Sequence, residues 1–304
     1  MNKKFILKVL ATILLFSFVL LKLDFSKVYE VMINSNIFLI LLSLLFVPLL
    51  YSIRVLKWDT LLRSVGIQHD FFKLFRVLLI GNFYGMITPG KAGEVARAYY
   101  LDSEKSITIP TIIWDKVIDI FVLIILSILS ILFLFKDNNL YLAAVFSFFI
   151  FIVLSAIFLN KKIISFLLSL MNLKISSSKQ FIDTIHIIKS DIRLISKLII
   201  LSICYYLINI ILAIIILKAL SNGANPYIAF TWLIIVLIGN IPITISGLGL
   251  REYIAIMSFK ALGENAEIGF SFSTLLFLMI TLFPGLIGYL FILRSGKEKH
   301  RILK

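Results

Sequence analysis

Six apolar runs, near 5–21, 36–53, 109–135, 140–159, 198–217 and 268–293, are each long enough to cross a bilayer. A lipid core holds no water to satisfy backbone amides and carbonyls, so a spanning segment must satisfy them internally. These runs are continuous rather than alternating, which selects helices over barrel strands. With 61% hydrophobic and 15% charged residues, no polar stretch is long enough to form a soluble domain. The expectation is an all-α polytopic membrane protein, one integral membrane domain over 1–304, with about six full spans.

Two further stretches, 71–101 and 227–262, are too long and too interrupted to be single helices. The first carries Asn82, Pro89-Gly90-Lys91, Gly93-Glu94 and Arg97; the second carries Asn240, Pro242, Gly247, Gly249 and Arg251-Glu252. Proline has no amide hydrogen and crowds the preceding turn, so each stretch reads as helix, break, second helix. Charge and broken backbone at membrane depth are tolerated where they line a protein-enclosed cavity. One such segment in each half of a chain is the sequence trace of a transport site.

The formal net charge of +14 would suggest nucleic acid for a soluble chain. Here the basic residues sit between apolar runs, so cytoplasmic loops facing anionic lipid explain them and no nucleic-acid partner is expected. Lys3 and Lys4 precede the first run, which reads as an uncleaved span. Five basic residues fall in 54–76 (Arg54, Lys57, Arg63, Lys73, Arg76), seven in 160–197 and five in the tail 294–304. All of these are cytoplasmic together only if each broken stretch returns to the side it entered. Stretch 71–101 would then be re-entrant from the cytoplasm and 227–262 from outside. Residues 1–135 and 140–293 become half-repeats of inverted topology, with both termini cytoplasmic and the domain in the cell membrane. The basic connection 160–197 reads as two amphipathic helices with a turn at Ser176-Ser177-Ser178, or as a plain positive-inside loop. The single cysteine, Cys204, excludes an intramolecular disulfide.

In the first break, Glu94 and Arg97 share a face at i, i+3. The amides from Lys91 to Glu94 and the positive helix end would suit a phosphate, with Lys91 and Arg97 adding charge. The other reading is a Glu94–Arg97 pair that neutralises itself and holds the hairpin. In the second break Arg251 and Glu252 point about 100° apart. Arg251 is therefore assigned to a substrate anion and Glu252 to a helix terminus or a basic partner. A third cluster, Asp115, Lys116 and Asp119, lies just beyond Pro110, close to the membrane interface, with Arg97 or Lys91 as its expected partner. Asn82 and Asn240 would satisfy loosened backbone. Trp114, Tyr227 and Trp232 read as anchors or packing. No nucleophile elbow, phosphate-binding loop or zinc motif appears, so neither enzymatic activity nor a metal or cofactor is expected.

These segments resemble the flippase-like transmembrane domain of the lysylphosphatidylglycerol synthase family. Asn82 through Pro89-Gly90-Lys91-Ala92-Gly93-Glu94 to Arg97 is similar to its Asn…Pro-Gly-x-x-Gly-Glu-x-x-Arg signature. Pro242 through Gly247-Leu248-Gly249-Leu250-Arg251-Glu252 is similar to its Pro…Gly-x-Gly-x-Arg-Glu run. Asp115-Lys116 to Asp119 stands where the family shows Glu-Arg-x-x-Asp, keeping the charges with a shorter acid and an unforked base. The resemblance implies two re-entrant helices, an inverted repeat and movement of lipids between leaflets. Some relatives carry a fused transferase; here 160–197 is the longest polar connection. The expected activity is translocation of an anionic phospholipid, an aminoacyl-phospholipid or a polyprenyl-phosphate-linked lipid. Arg97 and Arg251 would hold the head group, Glu94 and Glu252 would brace them, and Gly90, Gly93, Gly247 and Gly249 would bare the backbone. The alternatives are a membrane-embedded enzyme acting on lipid-linked substrates and a secondary carrier of a small anion. Membrane lipids are the expected partners, and a homo-oligomer is compatible with the sequence.

Overall fold

The computed structural model describes residues 3–21, 23–135 and 175–302, which are helical apart from short turns. The first half contains α1 (Lys3–Leu21), α2 (Phe25–Ile33), α3 (Ile37–Leu44), α4 (Phe46–Ser64), α5 (Phe71–Met86), a 3₁₀ segment (Ala92–Tyr100) and α6 (Lys105–Leu134). The second contains α7 (Ile175–Ser190), α8 (Ile192–Leu220), a 3₁₀ turn (Pro226–Phe230), α9 (Thr231–Gly239) and α10 (Leu250–Ala261). It closes with α11 (Ala266–Phe277), a π segment (Leu278–Leu282) and α12 (Phe283–Ile302).

Four stretches of 28 to 30 residues are long and apolar enough to span: Ile37–Ser64, Lys105–Leu134, Ile192–Leu220 and Ala266–Arg294. They correspond to four of the six expected runs. The first run contributes a fifth span only if α1 and α2, which meet at 84°, are taken as one bent span. The run 140–159 lies outside the described residues, as does the first of the two expected amphipathic helices.

Three boundaries differ from expectation. Helix α4 does not stop near residue 53 but continues to Ser64, so Arg54 and Lys57 are bundle residues rather than loop charges. The interval 22–35 is not a plain connection: it holds α2, capped by Asp24, whose carboxylate accepts from the amides of Ser26 and Lys27. Ser176-Ser177-Ser178 lies within α7 instead of marking a turn. Helix α7 buries Ile182, Ile185 and Ile188 in the core shared with α4 and α6. Its apolar face is met by protein.

The broken segments approach from opposite ends of the bundle. At one end, His69 Nε2 lies 3.0 Å from Ser103 Oγ and Lys73 Nζ donates to Asp102 at 2.8 Å. The first segment therefore begins and returns at the same end, where Ser106 also meets Gln180 of α7. At the other end, the Asn36 amide donates to Ala219 O at 2.8 Å and the rings of Phe133 and Tyr227 pack 5.2 Å apart. There the second segment starts, and there it returns, because Asn265 and Glu267, just beyond α10, share a surface pocket with Lys27, Glu30 and Leu220.

Candidate functional site

The two breaks touch. In the first, Gly90 and Lys91 are both left-handed, with φ of 60° and 56°; in the second, Ser246 and Gly247 are, with φ of 54° and 75°. A side chain in this region costs of order 1–3 kcal/mol, so Lys91 and Ser246 are held there by their surroundings. Pro89 and Ile245, the residues just before each pair, face each other in an isolated antiparallel bridge. A Cβ on Gly90 would stand 2.9 Å from the Pro242 ring. The Ile245 amide donates to Thr12 Oγ1 at 2.9 Å, tying the second break to α1.

Beyond each break the chain folds back along the helix it left, and small residues on that helix make room for charged ones. A Cβ on Gly85 would be 2.8 Å from Glu94 Cγ, and one on Gly239 would be 2.5 Å from Arg251 Cγ. Because the first return segment is 3₁₀, residues three apart are eclipsed. Glu94 and Arg97 accordingly share a face, but they do not neutralise each other. Glu94 lies 3.2 Å from Arg54 and 3.3 Å from Lys116. Arg97 Nη2 donates to Asp115 at 2.7 Å, and its guanidinium lies 4.2 Å from the Trp58 ring centre. Arg97 is 1% exposed, yet its Nε and Nη1 have no hydrogen-bond partner.

Lys57 closes the network. Its ammonium lies 2.9 Å from Asp115 Oδ1, a charge contact outside hydrogen-bonding angles, bonds Asp119 Oδ1, and donates to Ser202 Oγ at 3.2 Å. The cluster Asp115, Lys116 and Asp119 is thus inside the bundle rather than at the interface. Helix α6 starts at Lys105, before Pro110, which places Asp115 about 15 Å along it. The expected Arg97 partner for this cluster is present; Lys57 and Arg54, which read from sequence as loop charges, are further partners. Their signal was periodicity: Leu50, Arg54, Lys57 and Leu61 recur at helical spacing on the buried side of α4.

In the second segment Arg251 and Glu252 do meet, Nη2 to Oε1 at 3.3 Å, although neighbours on a helix point about 100° apart. Glu252 also accepts the Gly249 amide at 2.7 Å, capping α10, so it serves a helix terminus and a basic partner together. Arg251 lies 4.0 Å from the Phe277 ring centre. The asparagines act on loosened backbone as expected: Asn240 Nδ2 donates to Val236 O and Asn82 Nδ2 to Thr281 O at 2.8 Å. Thr281 belongs to the π segment, whose freed Ile280 carbonyl is taken by Tyr51 Oη at 3.0 Å.

The amides from Lys91 to Glu94 are not free for a phosphate. Lys91 and Gly93 donate to Thr88, Ala92 to Pro89 O and Glu94 to Lys91 O. A 3₁₀ turn satisfies its own amides three residues back, and here the Thr88 hydroxyl fills the remaining place. The Gly249 amide is likewise occupied by Glu252. What these turns leave available around the centre is therefore side chains rather than the amides of Lys91 to Glu94 or of Gly249.

They converge on a buried cavity of about 60 Å³ between the two breaks, α4, α6 and α8. Arg54, Lys91, Lys116 and Arg251 line it, against only Glu94 and Asp119. Three polar atoms on its wall lack partners: Trp232 Nε1, Ser246 Oγ and Asn240 Oδ1. Trp232, read from sequence as an anchor or packing residue, is therefore a cavity donor too. Arg97, Asp115, Glu252 and Asn82 stand behind the lining, and Pro89, Pro242 and Gly247 shape the turns that carry it. The present volume accommodates about four waters.

Membrane-length helices and two broken helices enclosing a charged centre define an integral membrane protein with a buried polar site. The family model described as the lysylphosphatidylglycerol synthase TM region matches residues 5–288, and the chain belongs to that family. Among similar proteins is UPF0104 membrane protein MJ1595 of Methanocaldococcus jannaschii, 24% identical over 307 residues, covering 90% of this chain and 89% of the relative. UPF0104 membrane protein PH1989 of Pyrococcus horikoshii is 24% identical over 115 residues, covering 36% of this chain and 34% of its own length.

Proposed function

We propose that the protein is a lipid translocase. It carries the phosphate-bearing head group of an anionic phospholipid, an aminoacyl-phospholipid or a polyprenyl-phosphate-linked lipid through the central cavity while the tails stay in the bilayer. The observation that carries this reading is the cavity's charge: four basic side chains and two acidic ones, set within an apolar bundle. A cavity with surplus positive charge in a low-dielectric interior is stabilised by an anion. Lys91 makes no ion pair among the described residues and Arg251 has only its sequence neighbour Glu252, so these two have the most charge to offer a phosphate.

The mechanism is alternating access. Each broken segment blocks the cavity from one end of the bundle, and the bridge between Pro89 and Ile245 relates equivalent positions of the two breaks. This supports an inverted repeat with a local two-fold axis at the bilayer midplane. The end bearing Arg63, Lys73, Arg76 and Lys105 faces the cytoplasm under the positive-inside rule. The reading is of a carrier, in which Glu94, Asp115, Asp119 and Glu252 serve as ion-pair partners of the basic residues.

The test is leaflet exchange of a fluorescent anionic phospholipid in proteoliposomes. Arg251→Gln should slow exchange at least about tenfold, the scale of one lost charge-assisted hydrogen bond. Exchange at the wild-type rate in correctly folded R251Q protein would refute the site.

A further inference from the structure

A second depression adjoins the central cavity. It is a groove of about 260 Å³ between the returning segment of the first break and α6. Its walls are Ala92 and Val95 on one side and Ile112, Ile113, Val117 and Ile120 on the other. Lys91, Glu94, Lys116 and Ile120 line both the groove and the central cavity. The two spaces therefore share one partition, charged on the cavity side and apolar on the other.

We propose that this groove is a lateral portal. It holds the hydrocarbon chain next to the head group of the lipid whose phosphate occupies the central cavity, and the Glu94–Lys116 pair is the gate between them. The inference rests on the head-group assignment of the central cavity. Three observations carry it. The volume is ample, since an apolar cavity of roughly 150 Å³ already takes a benzene ring. The chemistry matches an amphiphile, with surplus positive charge on one side of the partition and aliphatic side chains on the other. The gate is built to open cheaply. Glu94 is held on its second oxygen by Arg54, so losing Lys116 leaves no unpaired buried carboxylate. The Lys116 side chain is 30% exposed against 9% for Glu94, so it is the looser partner of the pair, and its long stem is the part that swings aside. Trp232 Nε1 and Ser246 Oγ, buried and unpartnered on the far wall, are left to donate to the incoming phosphate.

The experiment measures retention of phosphatidylglycerol by the purified protein in detergent, alongside binding of the tail-less glycerol 1-phosphate. Val117→Trp and Val95→Trp plug the groove from opposite walls, so a folding defect in one leaves the other informative. Both should weaken phosphatidylglycerol binding at least tenfold and leave glycerol 1-phosphate within twofold of wild type. Arg251→Gln should weaken both ligands. Wild-type phosphatidylglycerol affinity in folded plug variants overturns the portal while leaving the head-group site standing. Equal affinity for both ligands, insensitive to the plugs, overturns it in favour of a soluble anion. If wild-type protein exchanges no lipid between leaflets but its lipid retention is plug-sensitive, the portal stands and the translocase reading falls.

Discussion

The two broken segments share a backbone plan and differ in how they are wired. Each has two consecutive left-handed residues, a return along its parent helix and a glycine accommodating a charged side chain. In the first, every charge that leaves the backbone reaches another helix, except Lys91. Glu94 binds Arg54 of α4 and Lys116 of α6, while Arg97 joins Asp115 and, through it, Lys57. In the second, Arg251 and Glu252 satisfy each other, the Gly249 amide and a ring face, with no ion pair to another helix among the described residues. The first break is stapled to the bundle; the second carries its charge as a self-contained unit. Similar motif chemistry is thus wired into the bundle in one half and kept local in the other; on the proposed function, the first serves mainly as scaffold and the second as ligand group.

The sharpest way to break this contrast is at Lys57, which is 2% exposed and meets two carboxylates. Lys57→Met leaves Asp115 and Asp119 short of a cation, and removal of one partner from a buried ion network costs roughly 3–5 kcal/mol. Unfolding in mixed micelles should show that loss. Arg97→Gln should follow the same pattern, lowering stability along with transport. Arg251→Gln comes next: exchange should fall tenfold or more while the stability loss stays below that of Lys57→Met, because it strands one carboxylate rather than two and Glu252 keeps its cap on α10. A larger stability loss in R251Q than in R97Q would invert the assignment of scaffold and ligand.

A finer probe compares two alanines. Gly93→Ala pushes a methyl to within 2.2 Å of the Tyr84 carbonyl oxygen, rigid backbone, and should cost about 1–3 kcal/mol as the first hairpin opens. Gly239→Ala instead meets Arg251 Cγ at 2.5 Å, near the root of that buried side chain, so it should displace the guanidinium, altering exchange several-fold as well as lowering Tm. At the bottom of the scale is the Lys73–Asp102 pair, where the lysine's hydrogen bond draws the Asp102 carboxyl below its usual range. Asp102 is 90% exposed, water screens the pair, and Asp102→Asn should leave both Tm and exchange unchanged.

How far the sequence could be read depended on the kind of signal. Proline and glycine act locally, so the breaks at Pro89-Gly90 and Pro242 to Gly249 were legible, as was the backbone-satisfying role of Asn82 and Asn240. Charge partners across helices were only half legible. Asp115 and Arg97 stood out as charges in apolar surroundings, but Arg54 and Lys57 sat at the end of an apolar run and mimicked loop charges. Their pattern within α4 separates the two cases, since a helix that buries Leu50, Val55, Trp58 and Leu61 also carries Arg54 and Lys57 inward. The fate of the amides between Lys91 and Glu94 was not legible, because it turns on a 3₁₀ rather than an α return. The π segment in the last span has its signal just beyond it, in Pro284, which lacks the amide hydrogen that would bond the Ile280 carbonyl.

The bridge between Pro89 and Ile245 is a contact of one residue pair. A ladder of several pairs would resist shear and lock the breaks as a slab; a single pair acts as a latch and resists little but direct separation. Since Ile245 is also hooked to Thr12 of α1, pulling the latch open moves the first helix of the chain along with the second break. Parting the breaks would then involve Pro89, Ile245, the Thr12 hydroxyl and the packing of Gly90 against Pro242, all of them distinct from the ion pairs behind that hold the bundle together.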